Sequence, residues 1–202
     1  MRDQFNGYAR RLPTWVVYLT GAVPFGLLVY GAFFGGLGAD PVKTLELELG
    51  VWGLRFLIAS LAITPLMTYG IRLLKFRRSL GLLGFFYILM HFTTWVVLDL
   101  GLRWGQIGSE LVKRPFIVIG FLAFLLLIPL AATSWNGAIR RMGAVAWKKL
   151  HKLAYAAILL GAVHFVMIGK VYTVDSILYL VLTLLLLGSR LRPAKAPQRK
   201  TA

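Results

Sequence analysis

Residues 115–133 read PFIVIGFLAFLLLIPLAAT, nineteen positions without a charged side chain. A helix that crosses the hydrocarbon layer of a membrane, about 30 Å thick, needs roughly 20 mostly apolar residues, because lipid offers its backbone no hydrogen-bond partners. This segment is long enough and apolar enough to meet that requirement. The stretch therefore predicts a transmembrane helix.

Five further segments have a similar character in this chain of 202 residues, of which 58% are hydrophobic and 15% charged. The six predicted spans are 15–34, 51–71, 80–98, 115–133, 153–169 and 171–188. The second span contains Arg55, and Asp175 lies near the start of the sixth. Three prolines lie inside spans, where neighbouring helices satisfy the freed carbonyls. We expect an all-α, polytopic membrane helical bundle of six transmembrane helices.

The basic residues are distributed unequally between the two faces of this bundle. Of the 23 lysines and arginines, 17 lie at the N-terminus, between spans 2 and 3, between spans 4 and 5 through Lys152, and in the C-terminal tail. Cytoplasmic segments are enriched in such residues, so we expect both termini to be cytoplasmic in a bacterial inner membrane. The net charge of +16 then indicates topology and attraction to anionic membrane lipid, with no nucleic-acid partner.

The chain reads as one transmembrane domain over residues 1–190, followed by a basic, disordered cytoplasmic tail over residues 191–202. We expect no soluble catalytic domain, so any chemistry belongs inside the bundle or to a partner. Cysteine is absent, which excludes iron–sulfur clusters, thiolate-bound haem, covalent c-type haem attachment and disulfides.

Three histidines, His91, His151 and His164, lie in or beside predicted spans. An ionisable residue at membrane depth is costly and indicates function, although a neutral imidazole bonded to a neighbouring helix is the alternative. His91 follows Arg78 by 13 residues and His164 follows Lys149 by 15, so they lie about 20 Å and 22 Å beyond these basic anchors. Spans 3 and 5 run in the same direction. We therefore predict that His91 and His164 ligate one haem iron from its two axial sides.

Small residues accompany both predicted ligands. Gly161 lies one turn from His164 and Gly84 lies seven residues before His91, which suits the approach of a porphyrin but is also typical of helix packing in membranes. His151 precedes His164 by 13 residues, or about 220° of helical rotation, so the two do not share a face. Span 3 offers no histidine at the depth of His151. This residue stays a candidate for a second haem, a flavin or quinone site, or an interfacial position.

Three arginines are further candidates for cofactor binding. We predict that Arg55 pairs with a haem propionate, since a guanidinium binds a carboxylate with two hydrogen bonds and stays charged; the alternative is an arginine that reaches to the interface. Arg77 and Arg78 belong to a basic cluster that either holds the phosphate of a flavin such as FMN or only sets the topology. Metal transport is the competing use of membrane histidines, but the spans place no carboxylate or cysteine beside them.

Three stretches carry a family resemblance: RRSLGLLGFFYILMHF (77–92), KRPFIVIGFLAFLLLIPLAATS (113–134) and WKKLHKLAYAAILLGAVHF (147–165). In their spacing and order they resemble the MsrQ family, formerly YedZ, the haem-binding membrane subunits of the bacterial periplasmic methionine sulfoxide reductase system. The resemblance covers nearly the whole chain. More remotely, the bundle is similar to the ferric-reductase-like transmembrane domain of NADPH oxidases and ferric reductases.

The resemblance implies a b-type cytochrome that relays electrons from the quinone pool or a cytoplasmic flavin reductase. The acceptor would be MsrP, a periplasmic molybdopterin enzyme that reduces methionine sulfoxide in oxidised proteins. It implies haem b, with FMN as an associated cofactor, and it assigns the family's three histidines to His91, His151 and His164. NADPH oxidases carry two histidines on each of two helices, whereas here only span 5 keeps a pair, which argues against a full two-haem chain.

No set of residues typical of a hydrolase or transferase is present, so we expect an electron-transfer subunit of an oxidoreductase system. The alternative function is a free-standing ferric or quinone reductase, although such an enzyme normally carries an appended flavin and nicotinamide domain. A metal transporter is the more distant alternative.

Overall fold

Helices form the regular structure of the computed structural model, which describes residues 2–169 and 173–190. They are α1 (Arg2–Arg11), α2 (Thr14–Phe34), α3 (Pro41–Thr68), α4 (Arg77–Thr93), α5 (Trp104–Lys113), α6 (Pro115–Ala132), α7 (Asn136–Met142), α8 (Ala144–Leu150), α9 (Leu153–Ile168) and α10 (Val174–Gly188). A 3₁₀ turn, Leu74–Phe76, precedes α4, and a π-helix, Thr94–Asp99, continues it. The predicted tail over residues 191–202 lies outside the described residues.

Five helical segments of the described chain are long and apolar enough to cross a membrane. They are Thr14–Phe34, Pro41–Thr68, Leu74–Asp99, Pro115–Ala132 and Ala144–Ile168. The sixth predicted span corresponds to α10, an apolar helix of 15 residues. The predicted all-α, polytopic membrane bundle is confirmed, with five full-length spans and one shorter apolar helix.

Two features near the ends of spans differ from the prediction. Helix α3 begins at Pro41, ten residues before the predicted start of the second span, because the Asp40 side chain accepts a hydrogen bond of 3.0 Å from the Lys43 backbone N–H and Pro41 suits the first turn. Its first turns carry Lys43, Glu46 and Glu48, so they lie outside the apolar run by which the span was predicted. Helix α5, which lies between the third and fourth spans, was not predicted; its Ile107 packs in an apolar cluster with Trp95.

The pairing of the long helices follows from contacts near their ends. Helices α3 and α4 are antiparallel, since Lys43 meets Asp99 and the Ser60 hydroxyl donates to the Arg77 carbonyl. They approach closely at Gly53, where an added Cβ would lie 2.6 Å from an atom of the facing α4. Helices α6 and α9 form a second antiparallel pair. Helix α4 is also antiparallel to α6, since Phe85 stacks on Phe124 and Phe92 on Phe121. The two histidine-bearing helices, α4 and α9, therefore run in the same direction, as the depth calculation requires.

Helix α2 is joined to α4 by a side chain inserted into its backbone hydrogen bonds. The Tyr87 hydroxyl donates to the Gly21 carbonyl at 2.7 Å and accepts from the Phe25 N–H at 2.8 Å, two groups that would otherwise bond to each other. Pro24 lies between them, and both an internal proline and an inserted side chain open a helix at such a point. Tyr87 is fully buried, so its hydroxyl is removed from solvent and is satisfied by these two backbone groups.

Polar side chains also fasten the two ends of the described chain. The buried Asn6 of α1 donates to the Gly70 carbonyl and accepts from the Arg72 N–H, both at 2.9 Å, which holds α1 against the connection between α3 and α4. Just after α10, the Arg190 guanidinium donates to the Leu61 carbonyl at 2.7 Å and to the Tyr155 hydroxyl at 3.2 Å. These bonds tie α10 to α3 and α9.

The substitution Tyr87→Phe should destabilise the bundle, because it leaves the opened α2 backbone without the inserted hydroxyl. A buried polar group that loses its partner costs about 1–3 kcal/mol, so we expect a lower midpoint of thermal unfolding in detergent. Tyr18→Phe on α2 is the matched control, since in the described chain the Tyr18 hydroxyl has no hydrogen-bond partner. Equal midpoints for the two variants would contradict the proposed importance of the inserted hydroxyl.

Candidate functional site

A cavity of about 730 Å³ opens between α3, α4, α5, α6 and α9. His91 and His164 both line it, and their ring centroids lie 6.3 Å apart. The volume falls within the range of about 300–1,000 Å³ that is usual for small-molecule and cofactor sites. The structure thus brings together the two histidines that were predicted to face each other.

Each of these imidazoles is held by one hydrogen bond to the main chain of a neighbouring helix. The distance from His91 Nδ1 to the Glu46 carbonyl oxygen is 2.7 Å, and that from His164 Nδ1 to the Phe116 carbonyl oxygen is 2.6 Å. A carbonyl oxygen only accepts, so Nδ1 carries the proton in both rings. The lone pair of each neutral imidazole is therefore on Nε2, the nitrogen that remains for a ligand.

A glycine faces each histidine ring. A Cβ added at Gly50 of α3 would lie 3.1 Å from His91 Nδ1, and one added at Gly120 of α6 would lie 2.7 Å from His164 Nδ1. Each glycine follows by four residues the carbonyl that binds the imidazole, Glu46 in one case and Phe116 in the other. The same arrangement therefore occurs twice, once in the α3–α4 pair and once in the α6–α9 pair.

The separation of the two rings suits a single metal ion between them. A metal–nitrogen bond is about 2 Å and an imidazole centre lies about 1 Å behind its nitrogen, so two rings on opposite sides of one ion have centroids about 6 Å apart. The observed 6.3 Å agrees with this value. Within the described residues no group of three or more histidine, aspartate or glutamate side chains could hold a metal alone. The geometry thus fits an ion with other ligands of its own.

The cavity is chemically different at its two ends. Its deep part is apolar, with walls that include Leu54, Leu57, Leu127 and Ala157. The opposite end, which we call the charged mouth, is lined by Lys43, Glu46, Asp99, Arg103, Glu110 and Arg114. The helix ends and α5 carry these residues, where α3 begins, the π-helix stops and α6 starts. The site therefore fits a molecule that is mostly apolar and polar along one edge.

His151 lies elsewhere, at the break between α8 and α9. Its ring stacks on Trp147 with the centroids 3.9 Å apart, and its Nε2 lies 3.0 Å from the Thr133 hydroxyl. It does not line the cavity between His91 and His164. His151 lies two residues before the start of α9, whereas His164 lies near the other end of that helix, so the two imidazoles are separated along the bundle.

The three arginines chosen from the sequence also lie away from this cavity. Arg55 is fourteen residues beyond the start of α3; its Nε donates to the Tyr179 hydroxyl at 2.7 Å and its guanidinium lies 4.8 Å from the Trp52 ring centre. The early start of α3 explains why Arg55 is deeper in the helix than expected. Arg77 and Arg78 begin α4 at the other end of the bundle, where Arg78 donates to the Asn136 side chain at 2.8 Å.

The glycines of the site were only partly recognised from the sequence. Gly161 lines the cavity, but Gly84 packs against α3, where an added Cβ would lie 2.7 Å from Leu57. Gly84 therefore has the helix-packing role given as the alternative. Gly50 and Gly120 were missed because they lie on the helices that face the histidines, and the pairing of helices has to be known before they can be selected.

Comparison with known proteins identifies relatives over most of the chain. Residues 49–162 match the family described as "Ferric reductase like transmembrane component". A relative from Brucella anthropi is 48% identical over 181 residues, which are 89% of this chain and 82% of the relative. Relatives from Brucella ovis and Brucella melitensis biotype 2 are each 48% identical over 189 residues, 93% of this chain and 86% of theirs. All three are named "Protein-methionine-sulfoxide reductase heme-binding subunit MsrQ".

The substitution Gly120→Ala should displace the His164 ring, because the new Cβ would lie 2.7–2.9 Å from three of its atoms. We expect nitrogen-15 NMR of histidine-labelled protein to show a shifted His164 Nδ1 resonance as its bond to the Phe116 carbonyl weakens. Gly26→Ala is the matched control, since a Cβ there meets nothing within 4 Å. If Gly120→Ala leaves the His164 resonances unchanged, the close packing described for this ring is wrong.

Proposed function

Because this chain belongs to the MsrQ family, and more broadly to the ferric-reductase-like transmembrane components, we propose that it is a membrane-embedded b-type cytochrome. Its function would be to relay electrons to a methionine sulfoxide reductase. The observation that carries the proposal is the pair of imidazoles, His91 and His164, whose centroids lie 6.3 Å apart across the cavity. The names of the relatives, which describe a haem-binding subunit of such a reductase, support the same function.

The residues present fit a haem. Two imidazoles with Nε2 left for a ligand would hold its iron; Gly50 and Gly120 leave room for the imidazole rings, and Gly161 lines the cavity beside them. An apolar interior and a charged mouth suit a ring that is hydrophobic except for its carboxylates. When bound, the haem would supply one-electron chemistry through its ferric and ferrous states.

The chain itself positions the two imidazoles, fixes their tautomers and surrounds the cofactor with apolar side chains. The Glu46 and Phe116 carbonyls fix the orientation of the two imidazoles, and a hydrogen bond at Nδ1 increases the basicity of Nε2 toward a metal. The apolar walls keep water from the deep part of the cavity, which influences the reduction potential of a bound group. His91, His164 and these carbonyls would therefore act together as the ligand set.

We assign the electron donor to the quinone pool or a cytoplasmic flavin reductase and the acceptor to a periplasmic molybdopterin enzyme, MsrP, that repairs oxidised proteins. The charge distribution supports this direction, since 17 of 23 basic residues lie on the predicted cytoplasmic face of an inner membrane. The cavity lies with its charged mouth toward the opposite face. Electrons that leave from this cavity would thus emerge on the periplasmic side.

His151, Arg77 and Arg78, which the sequence also offers for cofactor binding, lie at the other end of the bundle. A second haem or FMN near His151, Arg77 and Arg78 would have to compete with the protein contacts that these residues already make. His151 has Trp147 and Thr133 as partners. We therefore propose one haem b at the cavity and keep the second haem and FMN as additional predictions for this end.

The substitutions His91→Ala and His164→Ala should each abolish the low-spin Soret absorption of the purified protein, because each removes one axial ligand. His151→Ala should retain this absorption. The measurement is an absorption spectrum before and after dithionite, with size-exclusion chromatography to establish that each variant is folded. A full low-spin signal after His91→Ala would refute the ligand pairing, and no dithionite-sensitive Soret band in the unsubstituted protein would refute haem binding.

Electron delivery can be tested with the dithionite-reduced protein in nanodiscs. We expect its reoxidation to accelerate in proportion to the concentration of a purified periplasmic molybdopterin methionine sulfoxide reductase, provided that methionine sulfoxide is present. Ferric chelates and quinones are the comparison acceptors. Reoxidation by these small acceptors alone would favour the free-standing ferric or quinone reductase over the relay.

A further inference from the structure

The charged mouth contains three cations and three carboxylates, but they are not paired one to one. Lys43 Nζ lies 3.1 Å from a Glu46 oxygen and 2.8 Å from an Asp99 oxygen, so two carboxylates share one cation. Arg114 is paired with Glu110 at 2.7 Å. The Lys43 side of the mouth therefore carries an excess of negative charge.

Arg103 is the third cation. Its Nε donates to the Leu100 carbonyl at 2.9 Å, while in the described part of the chain its two terminal nitrogens have no hydrogen-bond partner and no carboxylate lies within 4.0 Å. The side chain nevertheless lines the cavity. The Nε–H of Arg103 is thus held by the Leu100 carbonyl, and the N–H groups of the two terminal nitrogens remain available to an anion in the charged mouth.

The local backbone holds Arg103 in this position. Gly101 and Leu102 have φ values of 55° and 58°, in the left-handed region that a leucine rarely adopts, and they turn the chain from the π-helix into α5. On either side of Arg103, Leu100 and Ile107 are buried in one apolar cluster. The guanidinium therefore projects from a segment that is anchored at both ends.

We propose that Arg103 binds a propionate carboxylate of the haem, an inference that rests on the haem-binding function proposed above. The carboxylate edge would lie at the Arg103 side of the mouth, since the Glu46 and Asp99 carboxylates repel an anion on the Lys43 side. The hydrocarbon edge would lie against the apolar walls. Arg55, which stacks on Trp52 and does not line the cavity, is less suitably placed for this role.

The test compares haem b with its dimethyl ester, in which both carboxylates are neutral, in protein reconstituted from the full chain. With haem b, Arg103→Gln should accelerate haem loss to a scavenging apoglobin by on the order of tenfold, because a charge-assisted bond is removed. It should also lower the midpoint potential, since losing a nearby positive charge disfavours the addition of an electron. With the ester, the unsubstituted and Arg103→Gln proteins should lose the haem at the same rate.

Lys113→Gln provides the matched control, because Lys113 is the last residue of α5, the helix that Arg103 precedes, but does not line the cavity. Arg103→Lys keeps the positive charge, so the midpoint potential should return most of the way to that of the unsubstituted protein. A lysine cannot make the two parallel hydrogen bonds that a guanidinium makes to a carboxylate. Unchanged haem loss and potential in Arg103→Gln, or the same acceleration with the ester, would overturn the role of Arg103 and leave haem binding intact. Failure of the unsubstituted protein to take up haem b would overturn both proposals.

Discussion

Lipid offers polar groups no hydrogen-bond partners, and this constraint determines how the polar side chains of the bundle are used. The Tyr87 hydroxyl takes both of its partners from the α2 backbone, and the Arg55 side chain finds Tyr179. His91 and His164 satisfy only one ring nitrogen in this way. Both rings line one cavity, so the two imidazoles can bind the same metal ion there.

The class of fold and the meeting of His91 with His164 could be predicted because both depend on a single coordinate, the distance along a helix. Charge-free segments fix where helices cross the membrane, and a rise of about 1.5 Å per residue fixes the depth of a side chain. Rotation about the helix axis and the choice of neighbour are not contained in that coordinate. The two readings of Gly84 therefore stayed open until the structure showed its packing against α3, and Gly50 and Gly120 were missed.

The position of Arg55 in its helix differs from the expected one for another reason. Its depth was counted from a helix start at residue 51, but the Asp40 cap and Pro41 start the helix ten residues earlier. The charges on these first turns resemble those of a loop, yet they line the charged mouth. Helix α5 was not predicted because it is short and amphipathic, and the apolar signals of the two neighbouring spans are much stronger.

The arrangement of histidine, carbonyl and glycine occurs once in each of two halves of the bundle, α3 with α4 and α6 with α9. Each half orients its own imidazole through contacts that do not involve the other half. An ion bound by both rings would then join the halves through two coordination bonds, and its binding free energy would add to the stability of the folded bundle. Prosthetic-group insertion would in this view complete the assembly of the membrane domain, across a boundary where α3, α6 and α9 already share one buried apolar cluster.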